Sequence, residues 1–211
     1  MFVPLLISLS VLGSAAPRSH EACTALSISS PQAALDYAEA WLAERGGRPA
    51  EHCLALAHLA NGRDRQAADR LKSLADRERE DPGIAARLYI QAAEAYMSGG
   101  ARSEAFEMLR SAYGLAGDAP SLHMAAAGIY ATGQQWEGVI LSLSALSRHA
   151  ALSADALSLR ARAYLEEGQI QRAAEDVQAA LAIDPYLVDA LVLRGDLIQR
   201  GVSMPTPTLT E

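Results

Sequence analysis

Residues 154–187 read ADALSLRARAYLEEGQIQRAAEDVQAALAIDPYL, and this stretch decides the fold. Two apolar-periodic segments of about 14 residues flank Gly168, each too long for a strand and right for a helix. The string Leu181, Ala182, Ile183, Asp184, Pro185 ends the unit, since proline cannot continue a helix. Helix, turn, helix is the reading, and it recurs upstream. Tyr96, Tyr130 and Tyr164 share a spacing of 34 residues. Ala93, Ala127 and Ala161 precede them by three, and turns with Gly99 and Gly100, Gly133 and Gly168 follow. Such a period marks an array in which no unit buries its apolar face alone.

The pattern resembles the tetratricopeptide repeat (TPR) family. With Ala154 as repeat position 1, the family's small residue at 8 is Ala161, its aromatic at 11 is Tyr164 and its turn glycine at 15 is Gly168. Ala173, Val177, Ala180 and Pro185 take positions 20, 24, 27 and 32. Unit 86–119 keeps Tyr89, Ala93, Tyr96, Ala105, Leu109 and Ala112, with Gly117 where Pro is usual. Unit 120–153 is looser, with Val139 and Leu146 at two Ala positions and His123 at position 4. Unit 48–81 places Ala55, Ala67, Leu71 and Leu74 in phase, with His58 at the Tyr position. Extra residues near 81–84 are expected to lengthen the following linker, and 188–200 repeats the first helix as a cap, with Gly195 at position 8. The resemblance implies an all-α, right-handed superhelical solenoid of antiparallel helix pairs, about four repeats plus terminal helices. Small residues at positions 8, 20 and 27 let helices approach closely, and the position-11 aromatic fills the wedge between them.

Composition agrees. Of 211 residues, 50% are apolar and only 5% aromatic, which suits closely packed, alanine-rich helices. The formal charge of -7 gives no electrostatic reason to expect nucleic acid. Before the array, residues 16–47 form an N-terminal segment with a capping helix at 31–45, Ser30 as N-cap, Pro31 at its first position, and Gly46 with Gly47 ending it. Residues 201–211, with Pro205, Pro207 and several Ser and Thr, read as a disordered tail.

The apolar run Phe2 to Leu12, followed by Gly13, Ser14, Ala15 and Ala16, reads as a signal peptide over residues 1–15, although it lacks a basic n-region. A buried N-terminal helix, and with it a cytoplasmic chain, is the alternative. The run is too short to span a membrane. An exported chain meets an oxidising compartment, where the even pair Cys23 and Cys53 reads as a disulfide; two free thiols are the alternative. A lone lysine, Lys72, among many Arg and Ala suggests a high-GC bacterial source, hence a periplasmic or secreted protein.

No catalytic motif is present: Gly-x-Ser-x-Gly, His-Glu-x-x-His and a phosphate-binding glycine loop are all missing. His52 and His58 are six apart, on different helix faces, so neither a metal nor a cofactor is expected. In the TPR family the concave surface is lined by the first helix of each unit, chiefly at positions 2, 5, 9, 12 and 13. The resemblance therefore implies partner-binding roles for Arg87, Ile90, Glu94, Met97, Met124, Asp155, Ser158, Arg162, Asp189 and Asp196. The family's Lys, Arg and Asn clamp for a peptide carboxylate is not matched. The expected function is a non-enzymatic envelope module that binds an extended peptide or helix of another protein in this groove; a structural subunit using its edges and caps is the alternative.

Overall fold

The computed structural model describes residues 18–205; residues 1–17, with the run expected to be a signal peptide, and residues 206–211 of the expected tail lie outside them. Eleven helices follow one another among the described residues: α1 (His20–Ser29), α2 (Pro31–Ala43), α3 (Gly47–Ala60), α4 (Asp64–Arg77), α5 (Pro82–Ser98), α6 (Arg102–Ala116), α7 (Pro120–Thr132), α8 (Trp136–Leu146), α9 (Ala154–Glu166), α10 (Ile170–Ile183) and α11 (Val188–Gln199). Each packs on its neighbour in sequence, and α5 also touches α7, as α9 touches α11. The four expected units are α3/α4, α5/α6, α7/α8 and α9/α10, with α11 as the cap. None of these helices is long and apolar enough to cross a membrane.

The repeat positions are the core. Ala55, Ala93, Ala127 and Ala161 are fully buried, as are Ala67, Ala105, Val139, Ala112 and Ala180, and Ala173 nearly so. The wedge residues Tyr96 and Tyr164 are buried, His58 takes the same place in the first unit, and Tyr130 packs half-buried between two core clusters. Tyr96 also donates its hydroxyl to Asp69 of α4 at 2.6 Å, tying the second unit to the first. At Gly195, position 8 of α11, nothing among the described residues stands within 4 Å of an added Cβ.

The turns inside the units share one device. The amide of Arg63, Ala101, Gln135 and Gln169 donates to the carbonyl of His58, Tyr96, Tyr130 and Tyr164 respectively, at 2.7–2.9 Å. This is the Schellman closure, which needs a left-handed residue just before the donor. Gly62, Gly100 and Gly168 fill that place with φ of 67°, 75° and 70°, but in the third unit the residue is Gln134 with φ 56°. Gly133 has a different task. A Cβ there would lie 2.9 Å from Phe106 Cζ, so this glycine admits a close approach.

Four expectations need correction. First, the segment before α2 is itself a helix, α1: the Ser19 hydroxyl accepts from the amide of Ala22 at 3.1 Å and Glu21 favours the first turn. Cys23 and Cys53 are disulfide-bonded and fully buried, so the bond joins α1 to α3. Second, the residues near 81–84 do not lengthen a linker. They add a turn to α5, where the Asp81 carboxylate accepts from Gly83 and Ile84 amides and Pro82 opens the helix. Third, Ser30 stands at the N-cap of α2 as expected, but its side chain makes no cap bond, and its amide closes α1 on Leu26. Fourth, residues 201–205 are fastened to the last helix, with Val202 and Met204 against the core and Arg194 donating to the carbonyls of Met204 and Pro205.

Candidate functional site

The side chains expected to bind a partner lie on α5, α7, α9 and the cap helix α11. Two cavities lie along α5, one shared with α3 and the other with α7. The larger, about 610 Å³, opens between the first halves of α3 and α5. Buried Leu74 and Leu88 give it an apolar floor, the exposed Pro49 and Ile84 an apolar edge, and His20, Arg48, His52, Glu78, Arg87 and Gln91 a polar wall. His20 and His52 stack with ring centroids 5.0 Å apart and share a ring-nitrogen hydrogen bond of 2.8 Å. The other nitrogen of His52 bonds the Gln91 carboxamide oxygen at 3.0 Å. Burial lowers the His52 pKa, so the ring favours its neutral form, with Gln91 opposing and His20 adding to the shift. Arg48 is paired with Glu78, whose carboxyl is held at about 2 by that guanidinium and by the amides of Glu80 and Asp81.

The second cavity, about 510 Å³, lies between α5 and α7. It joins three of the expected residues, Glu94, Met97 and Met124, with Ser98, Gly128, Ile129 and Thr132. Met97 is its buried floor and Met124, 44% exposed, its flexible rim. Glu94 reaches water, yet the apolar wall removes enough of it to raise the carboxyl pKa.

The remaining expected residues divide. Arg87 lines the larger cavity and is exposed, while Ile90 is half-buried against the α5 core. Asp155 and Arg162 are exposed on α9, and Asp189 and Asp196 on α11. Ser158 departs from the expectation: at 3% exposure it is buried, on the same face of α9 as the buried Ala154, Ala161 and Leu165. His20, Arg48, His52 and Gln91 were not foreseen. The register already put Pro49 and His52 at positions 2 and 5 of the first unit, but His20 belongs to a helix with no repeat signature. His58 points elsewhere, toward Gln66, Asp69, Arg70 and Ser73.

No family model matches the sequence, and no curated protein does either. Among solved structures the chain is similar to YrrB, described as a TPR protein with an unusual peptide-binding site, with a TM-score of 0.63 and 15% identity over 82% of this chain and 88% of that one. It is also similar to TTC0263, a thermophilic TPR protein of Thermus thermophilus, with a TM-score of 0.56 and 20% identity over 86% and 100% of the two chains. The chain has the TPR fold. The two cavities described above lie along the first helices of the TPR units, and the disulfide sits at the N-terminal end of the same stack.

Proposed function

We propose that this TPR-fold chain is a non-enzymatic protein-protein interaction module of the bacterial cell envelope, exported by its N-terminal apolar segment. It takes an extended peptide or a helix of a partner along α3, α5, α7 and α9. The observation that carries this reading is the pair of cavities of about 610 and 510 Å³ along one helix face, each combining an apolar floor with a few polar groups. Arg87 would receive an acidic or carbonyl group of the ligand, and Met97 and Met124 would adapt to an apolar side chain. Asp155, Asp189 and Asp196 make the far end acidic, which favours a ligand with basic residues there. The peptide-binding site of YrrB, on a similar fold, supports a groove ligand. The Cys23–Cys53 bond supports an oxidising compartment.

The test replaces Arg87, Met124 and Arg162 together by Ala and compares partner recovery after crosslinking in the periplasm. Loss of the partner with an unchanged helical spectrum is the expected result; retention of the same partner would remove the groove from the account. One observation favours a second reading, in which a terminal cap joins a larger assembly. Ile183, Tyr186, Val188 and Val192 are each more than half exposed near the start of α11. Loss of the partner on replacing Tyr186 and Val192 by Ser, rather than the groove residues, would support that reading.

A further inference from the structure

Away from the groove, three side chains converge where sequence motifs gave no warning. Asp118 lies in the junction between α6 and α7, His123 in the first turn of α7, and His149 in the linker between α8 and α9. Asp118 and His149 are 31 residues apart in sequence. The Asp118 carboxylate accepts from both imidazoles: Oδ1 lies 2.6 Å from His123 Nε2, and Oδ2 lies 2.9 Å from His149 Nε2. All three donor atoms fall within 4.8 Å of one another.

We propose that Asp118, His123 and His149 form a binding site for a divalent transition cation of the zinc class, held by two imidazole nitrogens and one carboxylate oxygen, with water completing the coordination. Two imidazoles and a carboxylate suit zinc and its neighbours and leave one tetrahedral position open. With metal–ligand bonds of about 2.0–2.1 Å, neighbouring donors in a tetrahedron stand about 3.3 Å apart. The existing contacts of 2.6 Å to Oδ1 and 2.9 Å to Oδ2 would open by about 0.4–0.7 Å, and the widest separation in the triad, within 4.8 Å, would close by up to about 1.5 Å as one carboxylate oxygen turns toward the ion. Freedom for that exists, since Asp118 and His149 both lie outside helices.

The surroundings supply an outer shell. His123 is buried, and its Nδ1 lies 3.3 Å from the Tyr113 hydroxyl. With Nε2 on the metal, the imidazole proton moves to Nδ1 and is donated to Tyr113, which fixes tautomer and ring orientation in the way metal-bound histidines require. The His123 and His149 rings stack with centroids 6.1 Å apart, so both nitrogens face the same carboxylate. Arg148, 3.5 Å from Asp118 Oδ1, is the competing cation and would swing away. A bound ion would clamp the entry and exit of α7/α8, the unit whose repeat pattern is loosest, and hold the Met124 side of the groove in one arrangement.

The test titrates the full, disulfide-bonded chain, stripped of metal with chelator, with zinc chloride by calorimetry and follows Tm in parallel. One saturable site per chain and a raised Tm are expected. Asp118→Asn and His149→Ala, both at accessible positions, should each weaken zinc binding by roughly tenfold or more with the circular-dichroism spectrum unchanged. Tyr113→Phe should weaken it less, and Arg148→Ala should tighten it. The paired change His20→Ala with His52→Ala should leave it unaltered. Lack of saturable binding at millimolar zinc would overturn the proposal. So would binding that survives Asp118→Asn and His149→Ala, or that is lost with His20 and His52.

Discussion

Gln134 and Gly133 are adjacent, yet the packing assigns their substitutions opposite signs. Gln134 holds φ at 56°, where the matching residues Gly62, Gly100 and Gly168 are glycines. A left-handed conformation costs a residue with a Cβ about 1–2 kcal/mol. Introducing glycine relieves that strain but returns about 0.4–1 kcal/mol as extra freedom of the unfolded chain. Gln134 is exposed, so little packing is lost. Gln134→Gly should therefore stabilise by about 0.5–1 kcal/mol, a rise in Tm of roughly 1–4 °C for a chain of this size. At Gly133 the backbone is right-handed, with φ -79°, and alanine would gain about 0.4–1 kcal/mol there. Its Cβ, however, would lie 2.9 Å from Phe106 Cζ and 3.2 Å from Met97 Cε. The Phe106 ring is stacked on Tyr130 and has little room to yield, so overpacking of about 1–3 kcal/mol wins. Gly133→Ala is expected to lower Tm. Urea and thermal unfolding followed by circular dichroism measure both. A fall in stability for Gln134→Gly, or a rise for Gly133→Ala, would refute the assignment of turn and packing roles.

Other consequences are open to equally simple measurements. Gly138→Ala places a Cβ 2.6 Å from the Tyr130 ring and should destabilise by about 1–3 kcal/mol in urea unfolding. Ala173→Leu, at a nearly fully buried position, should cost a similar amount; an unchanged Tm would contradict the repeat register. Mass spectrometry without reductant should find the purified chain two hydrogens lighter than its dithiol formula. Acid should destabilise the fold through His58, whose pKa is lowered first by burial and then by Arg70 and Arg63. A folded pKa below the ordinary imidazole value means the unfolded chain binds more protons, so stability falls as pH drops below about 6.5. His58→Tyr, which restores the residue of the other units, should flatten this slope in urea midpoints compared at pH 7.5 and 5.5.

The array was legible because its period is a direct imprint of packing: each Ala and Tyr that recurs at 34 residues does so because helices touch there. Elements outside that period were not. Helix α1, HEACTALSIS, has no apolar stripe; Ile28 is 83% exposed and only Cys23 is buried, so its place depends on the disulfide and on Tyr37, whose hydroxyl receives the Ser19 amide at 2.7 Å. The added turn of α5 had a local signature in Asp81 and Pro82, masked because the repeat count fixed only the number of extra residues. In the groove, the register brought Glu94, Met97 and Met124 to one cavity but did not foresee that Ser158 falls on the buried face of α9 with Ala154, Ala161 and Leu165. The convergence of His20 with His52 follows from the disulfide that fastens α1 to α3, and that of His123 with His149 from the packing of consecutive units; neither leaves a linear pattern.

The central claim, that a partner lies along the first helices of the units, is tested most directly by site-specific photo-crosslinking in the periplasm. A crosslinking side chain is placed in turn at Arg87, Met124 and Arg162 on the groove, and at Tyr186 and Val192 on the cap. The account predicts adducts to one partner from Arg87 and Met124, on a continuous segment of that partner, and none from the cap. Adducts from Tyr186 and Val192 with none from the groove would contradict it.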